Sequence, residues 1–199
     1  MKPTLHIVHP YTYKVKGDTL LGGPFPEFRE RDEKISLLVR RAIKNGTVMR
    51  HYSNPMVSGE GFSELGCLLF DPLFKWSVNK KIIDLTTSSG VPISDVRPEK
   101  ISPEDWEICK RHWTTKKELA RIVSDSSPNV FIGGYLENCV TNAVGYHQKT
   151  FRKKGEVAYY VPELCARSPD SSWDEIKPKL EALDAKEISF EKALGLFVP

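Results

Sequence analysis

The run from Asn129 to Val144 constrains the chain more than any other stretch. Val130-Phe131-Ile132 is short and apolar, the composition of a strand buried on both faces. Gly133-Gly134 ends it, because paired glycines admit backbone angles that other residues avoid. Beyond the glycines, Val140, Ala143, Val144, His147 and Phe151 recur at helical spacing. Cys139 thereby falls where a strand has ended and a helix opens. Unsatisfied N–H groups and the positive end of a helix dipole favour thiolate over thiol, and the thiolate is the nucleophile. A small buried apolar residue is the competing reading of the same cysteine.

The flanking sequence repeats this alternation. Leu5 to His9 reads as a first strand, kept extended at its end by Pro10. Residues 10–26 carry Gly17, Gly22, Gly23, Pro24 and Pro26 and read as irregular. Ile35, Leu38, Val39, Ala42 and Ile43 give Glu27 to Asn45 one apolar helical face, stopped by Asn45-Gly46. Thr47 to Tyr52 is a second strand, so the first three elements form a βαβ unit with parallel strands. Asp105 to Lys110 reads as a third strand, and Thr115 with Glu118 as a capping box opening a short helix. After the Cys139 helix, which ends in the basic turn Arg152-Lys153-Lys154-Gly155, Val157 to Val161 is a fifth strand. Ser172 and Glu175 form a second capping box, and Glu187 to Phe190 is a sixth strand. The expected fold is α/β: a three-layer αβα sandwich around a six-stranded parallel, Rossmann-like sheet of order 3-2-1-4-5-6. In such a sheet the site lies at the carboxyl ends of the strands. His9, Lys110 and Cys139 all fall there.

Composition narrows the function classes. The 29 basic and 26 acidic residues are interspersed, and a net charge of +3 calls for neither nucleic acid nor an anionic membrane. No apolar run reaches transmembrane length and no signal peptide is visible. Four cysteines (Cys67, Cys109, Cys139, Cys165) without zinc-type spacing suggest reduced thiols and a cytoplasmic protein. Asp71-Pro72 has the form of a helix start, and the apolar residues between 62 and 76 suit a subunit interface or pocket wall.

Phe131-Ile132-Gly133-Gly134-Tyr135-Leu136-Glu137-Asn138-Cys139-Val140 resembles, in order and spacing, the central signature of the isochorismatase-like cysteine hydrolases. That group includes nicotinamidases and carbamoylsarcosine amidohydrolases. Glu107 to Lys110 followed by the 115–123 helix, and the closing strand-helix-strand of 157–190, are similar to its other parts. The resemblance spans the chain as one domain, 1–199, with a variable insertion at about 53–103. It implies Cys139 as nucleophile, Lys110 beside it, and an oxyanion hole from the N–H groups of Tyr135 and Cys139. It also implies a cis peptide between Gly134 and Tyr135, and a homo-oligomer.

One departure matters. Where the family carries a proton-shuttling aspartate at the end of strand one, this chain has His9. The metal-binding cluster of nicotinamidases is missing from Arg50-His51-Tyr52-Ser53-Asn54-Pro55, so no metal or cofactor is expected, and His51 and His112 read as structural or exposed. Two functions follow. In the first, His9, kept neutral by Lys110, acts as general base for Cys139 in hydrolysis of a small amide or related C–N substrate. In the second, the protein is a catalytically inactive member, a small-anion-binding or assembly module, since exchanging Asp for His leaves the pocket more positive. Tyr11, Tyr13, Trp113 and Tyr135 would suit a planar ligand, or are ordinary packing.

Overall fold

The structure is a computed structural model and describes residues 3–9, 13–16, 19–22, 28–53, 82–88, 91–92, 128–150 and 155–198. Its strands are β1 (Thr4–Val8), β2 (Tyr13–Lys16), β3 (Thr19–Gly22), β4 (Val48–Ser53), β5 (Ile82–Ser88), β6 (Val91–Pro92), β7 (Asn129–Tyr135), β8 (Ala158–Ala166) and β9 (Ala185–Glu187). Its α-helices are α1 (Arg29–Lys44), α2 (Thr141–Thr150), α3 (Trp173–Ala182) and α4 (Phe190–Leu196).

Alternating side chains along β1 and β7 create two cores. Leu5, Ile7, Val130 and Ile132 point to one face, where Ile35, Leu38, Val39 and Ala42 of α1 and Ala193 of α4 cover them. Val8 and Phe131 point to the other face and meet Val140, with Ala143 and Val144 of α2 and Ile176 and Leu180 of α3. Helices therefore pack on both sides of the sheet, as expected of an α/β protein. The α1 stripe ends as its sequence demands. Gly46 takes a φ of 63°, its N–H donates to the Ile43 carbonyl at 2.9 Å, and Thr47 N–H donates to that of Ala42 at 2.9 Å, which together make a Schellman stop.

The parallel strands β4-β1-β7-β8-β9 are the second, first, third, fourth and fifth of this group along the chain. Strand β5 pairs parallel with the outer side of β4, Met49 opposite Ile82, and carries the short antiparallel β6. A sheet strand thus comes from within 53–103, a region expected only as an insertion. The strand expected at 105–110 lies outside the described residues. Two further expectations are corrected. Within 10–26, Tyr13–Lys16 and Thr19–Gly22 pair as an antiparallel hairpin. The last strand is Ala185–Glu187 instead of 187–190, because Ser189 caps α4, its Oγ accepting from Lys192 N–H at 3.3 Å.

β8 also departs from a regular ladder. Phe131 pairs with Tyr160 but Gly133 pairs with Cys165, so three extra residues of β8 are accommodated between the two pairs. Pro162, which has no N–H to give a ladder, falls in that interval.

Beneath α2 lies a buried polar cluster. Asn129 Oδ1 lies 2.9 Å from His6 Nε2, the Arg50 guanidinium 3.4 Å from the same nitrogen, and the Tyr52 hydroxyl 2.8 Å from Nδ1. The His6 ring stacks on Phe131 at 4.1 Å and meets His147 of α2 edge-on at 5.2 Å. His147 Nε2 lies 3.8 Å from Glu156. Burial, then the nearby Arg50 guanidinium, holds His6 well below its ordinary value and His147 down at about 4. Both rings are neutral in the fold at neutral pH.

Candidate active site

Strand order reverses between β1 and β7, which makes their carboxyl ends the switch point of the sheet. At that point the two strands press together. A Cβ added at Gly133 would collide with the Val8 carbonyl, and one added at Gly134 would stand 2.7 Å from the His9 carbonyl oxygen. Gly133 also has a φ of 127°. Both requirements leave glycine as the fitting residue there.

His9 directly follows β1 and is 3% exposed. Its N–H still donates to the Tyr52 carbonyl at 3.1 Å, extending the ladder with β4 by one bond. Its φ is 42°, so the chain turns left-handed here, whereas the following proline had suggested an extended residue. Histidine is among the residues that tolerate this region, and the turn sets the His9 carbonyl and Cβ against Gly134.

After Tyr135 (φ −60°, ψ 118°) the chain does not enter an α-helix at once. Leu136–Val140 forms a single wide π-turn, and α2 begins at Thr141. Thr141 closes the turn: its N–H and its hydroxyl both bond the Leu136 carbonyl, the hydroxyl at 2.5 Å. Cys139 lies inside this turn, partly exposed, against the apolar cluster under α2 and α3. The expected thiolate is not favoured by what surrounds it among the described residues. Burial pushes the Cys139 thiol up to about 11, against an opposing backbone hydrogen bond, and the Glu137 carboxylate adds a smaller push in the same direction as burial. Desolvation outweighs the turn's N–H groups.

Glu137 is a residue that sequence reasoning passed over. Its Oε1 accepts from the Ser168 N–H at 2.8 Å, tying the turn to the chain beyond β8. Only an acid two positions before the cysteine hinted at it. Cys165, on β8 opposite Gly133, is a second free thiol at this end of the sheet, buried and pushed up to about 12.

The structure brings His9, Gly133, Gly134 and Tyr135 together at the β1–β7 junction, with Cys139 in the turn that follows. Lys110, Tyr11 and Trp113 lie outside the described residues, as does His112. Tyr13 is placed by its backbone in β2, opposite Gly22. His51 is buried in β4. Among the described residues no three His, Cys, Asp or Glu side chains are grouped to hold a metal, and no helix is long and apolar enough to cross a membrane.

No protein-family model matches the chain, and no curated protein matches it in sequence. Solved structures do match. N-carbamoylsarcosine amidase from Thermoplasma acidophilum superposes with a TM-score of 0.55 over 96% of this chain and 98% of its own, at 12% identity. This chain has the isochorismatase-like hydrolase fold. A hydrolase described as of the isochorismatase family, from Chromobacterium violaceum, gives 0.52 at 14% identity over 98% of this chain and 93% of its own. The MAR1 ribonuclease from Caenorhabditis elegans gives 0.53 at 13% identity over 99% and 81%. The fold is thus shared with proteins of different named activities.

Proposed function

We propose that the chain is a cysteine hydrolase acting on a small amide or related C–N bond. The observation that carries this reading is the position of Cys139, in a wide turn at the switch point of a sheet shared with N-carbamoylsarcosine amidase. Cys139 Sγ attacks the carbonyl carbon as its proton passes to His9. The oxyanion is met by the backbone N–H groups of Tyr135 and Cys139 across the Gly134–Tyr135 peptide, with Lys110 adding positive charge. The C–N bond then breaks as His9 returns the proton to the leaving nitrogen. Water attacks the thioester, giving a proton to His9, which passes it to the departing sulfur. The same reading takes β5 as the outermost of six parallel strands of a three-layer domain. It also takes the protein as a cytoplasmic homo-oligomer with a small-molecule ligand, Tyr11, Tyr13 and Trp113 lining its pocket.

A second reading, a non-catalytic binding module, is favoured by one observation: burial and Glu137 hold Cys139 as a thiol at neutral pH. The two separate on turnover. A panel of N-carbamoyl amino acids, nicotinamide and simple primary amides should include one substrate whose hydrolysis falls about 100-fold or more in Cys139→Ala. If no amide turns over and no acyl adduct forms on Cys139 by intact mass, the binding module takes the hydrolase's place.

A further inference from the structure

We infer that Glu137 is a positioning residue for the proposed nucleophile, fixing the turn that carries Cys139 and holding a negative charge in that same turn. This rests on Cys139 being the reactive thiol. The clamp is long-range: Glu137 Oε1 takes the Ser168 N–H at 2.8 Å from a segment 31 residues away. Among the described residues, the other oxygen, Oε2, is buried and accepts no hydrogen bond, and no cation pairs with the carboxylate. A buried carboxylate oxygen without a partner is costly, so its retention calls for a reason beyond the clamp.

Glu137 and Cys139 are two positions apart in one turn, and such neighbours do not face each other on a helix. Direct proton exchange between them is therefore not the role. What remains is the field of the carboxylate, poorly screened in a partly desolvated turn. Its direction agrees with the thiol's behaviour: burial is the main cause that raises Cys139, a backbone hydrogen bond opposes it, and Glu137 adds a smaller upward push, as it does on Cys165. Among the described residues, other titratable groups also lie at this end of the sheet. Cys165 on β8 is itself protonated at neutral pH. Arg31 of α1, whose charge reaches Cys165 in the opposite sense, is held by Asp32 at 2.7 Å. His9 closes β1.

The test is iodoacetamide alkylation of the full chain against pH, read at the Cys139 peptide by mass spectrometry. Glu137→Gln keeps an oxygen for the Ser168 N–H and removes the charge. Its alkylation midpoint should fall by about one pH unit. At pH 8 the rate should rise about threefold, the tenfold gain in thiolate being partly offset by its weaker nucleophilicity. Glu137→Asp keeps the charge on a shorter arm and should hold the midpoint near that of the wild type while lowering the melting temperature. An unchanged midpoint in Glu137→Gln overturns the inference, and so does failure of that isosteric variant to fold. Alkylation needs no substrate. Absence of amide turnover in the wild type therefore counts against the hydrolase alone, and an unshifted midpoint with turnover intact counts against Glu137 alone.

Discussion

Gly133 lies against the Val8 carbonyl so closely that its own missing side chain is what lets β7 sit beside β1 at their carboxyl ends. The neighbouring contact, Gly134 against the His9 carbonyl, continues the same close approach one residue further on. The shape of the candidate site is thus set by backbone meeting backbone, which no rotamer change can relieve.

Gly133→Ala should consequently fail to reach a native fold, or lose more than about 3 kcal/mol, since it combines a forbidden φ with a backbone collision. Gly155→Ala is the control. Its φ is also positive, at 86°, but nothing lies within 4 Å of the added methyl, so the loss should stay near about 1 kcal/mol. Urea unfolding of the two variants checks the difference.

The two described thiols should react in a fixed order. Cys139 is partly exposed and Cys165 buried, with values of about 11 and about 12. Peptide-mapped alkylation between pH 8 and 10 should label Cys139 first and Cys165 only when the protein unfolds. Equal labelling in the native protein would contradict the burial of Cys165.

Acid should weaken the fold through the cluster beneath α2. His6 and His147 have folded-state values below the ordinary 6.5, so the unfolded chain binds protons that the fold refuses. The stability they contribute is complete above about pH 6.5 and is lost as the pH falls, for His147 down to about 4. That lowering corresponds to about 3 kcal/mol for His147. Urea midpoints at pH 7.5, 6, 5 and 4 should drop along this course in the wild type, and more shallowly in His147→Asn. Parallel curves for the two would remove His147 from the account.

At the far edge of the sheet, Ser189→Ala removes the hydroxyl that caps α4. The expected cost is about 1 kcal/mol, read as a lower thermal midpoint, with Ser189→Asp restoring most of it. No change would mean that the Glu163 carboxylate, which accepts the Phe190 N–H at 2.7 Å, carries the helix start alone.

Much of the architecture can be read from the chain because the relevant signals are local. Leu5 and Ile7 alternate with His6 and Val8, α1 repeats its apolar stripe, and Asn45-Gly46 and Gly133-Gly134 mark breaks that the backbone obeys. Where reading failed, the signal was weak or distant. β9 buries only Ala185 and exposes Lys186 and Glu187, so it shows no apolar alternation, and the pattern drew attention to Ile188 and Phe190 instead. The hairpin of 13–22 hid behind its glycines, although Gly17-Asp18 has the composition of a two-residue connection. At the site, the strand end, the glycine pair and the cysteine are contiguous and visible. The partner of Glu137 and the burial that holds Cys139 protonated depend on chain more than twenty residues away, which no local pattern encodes.

The wide turn at Leu136–Val140 has one more consequence. Its hydrogen-bonded turn holds one residue more than that of an α-helix. Shortening it by a single residue would swing the sulfur about 100° around the helix axis relative to α2. The direction in which this protein aims its thiol is thus set by the width of the turn that precedes the helix.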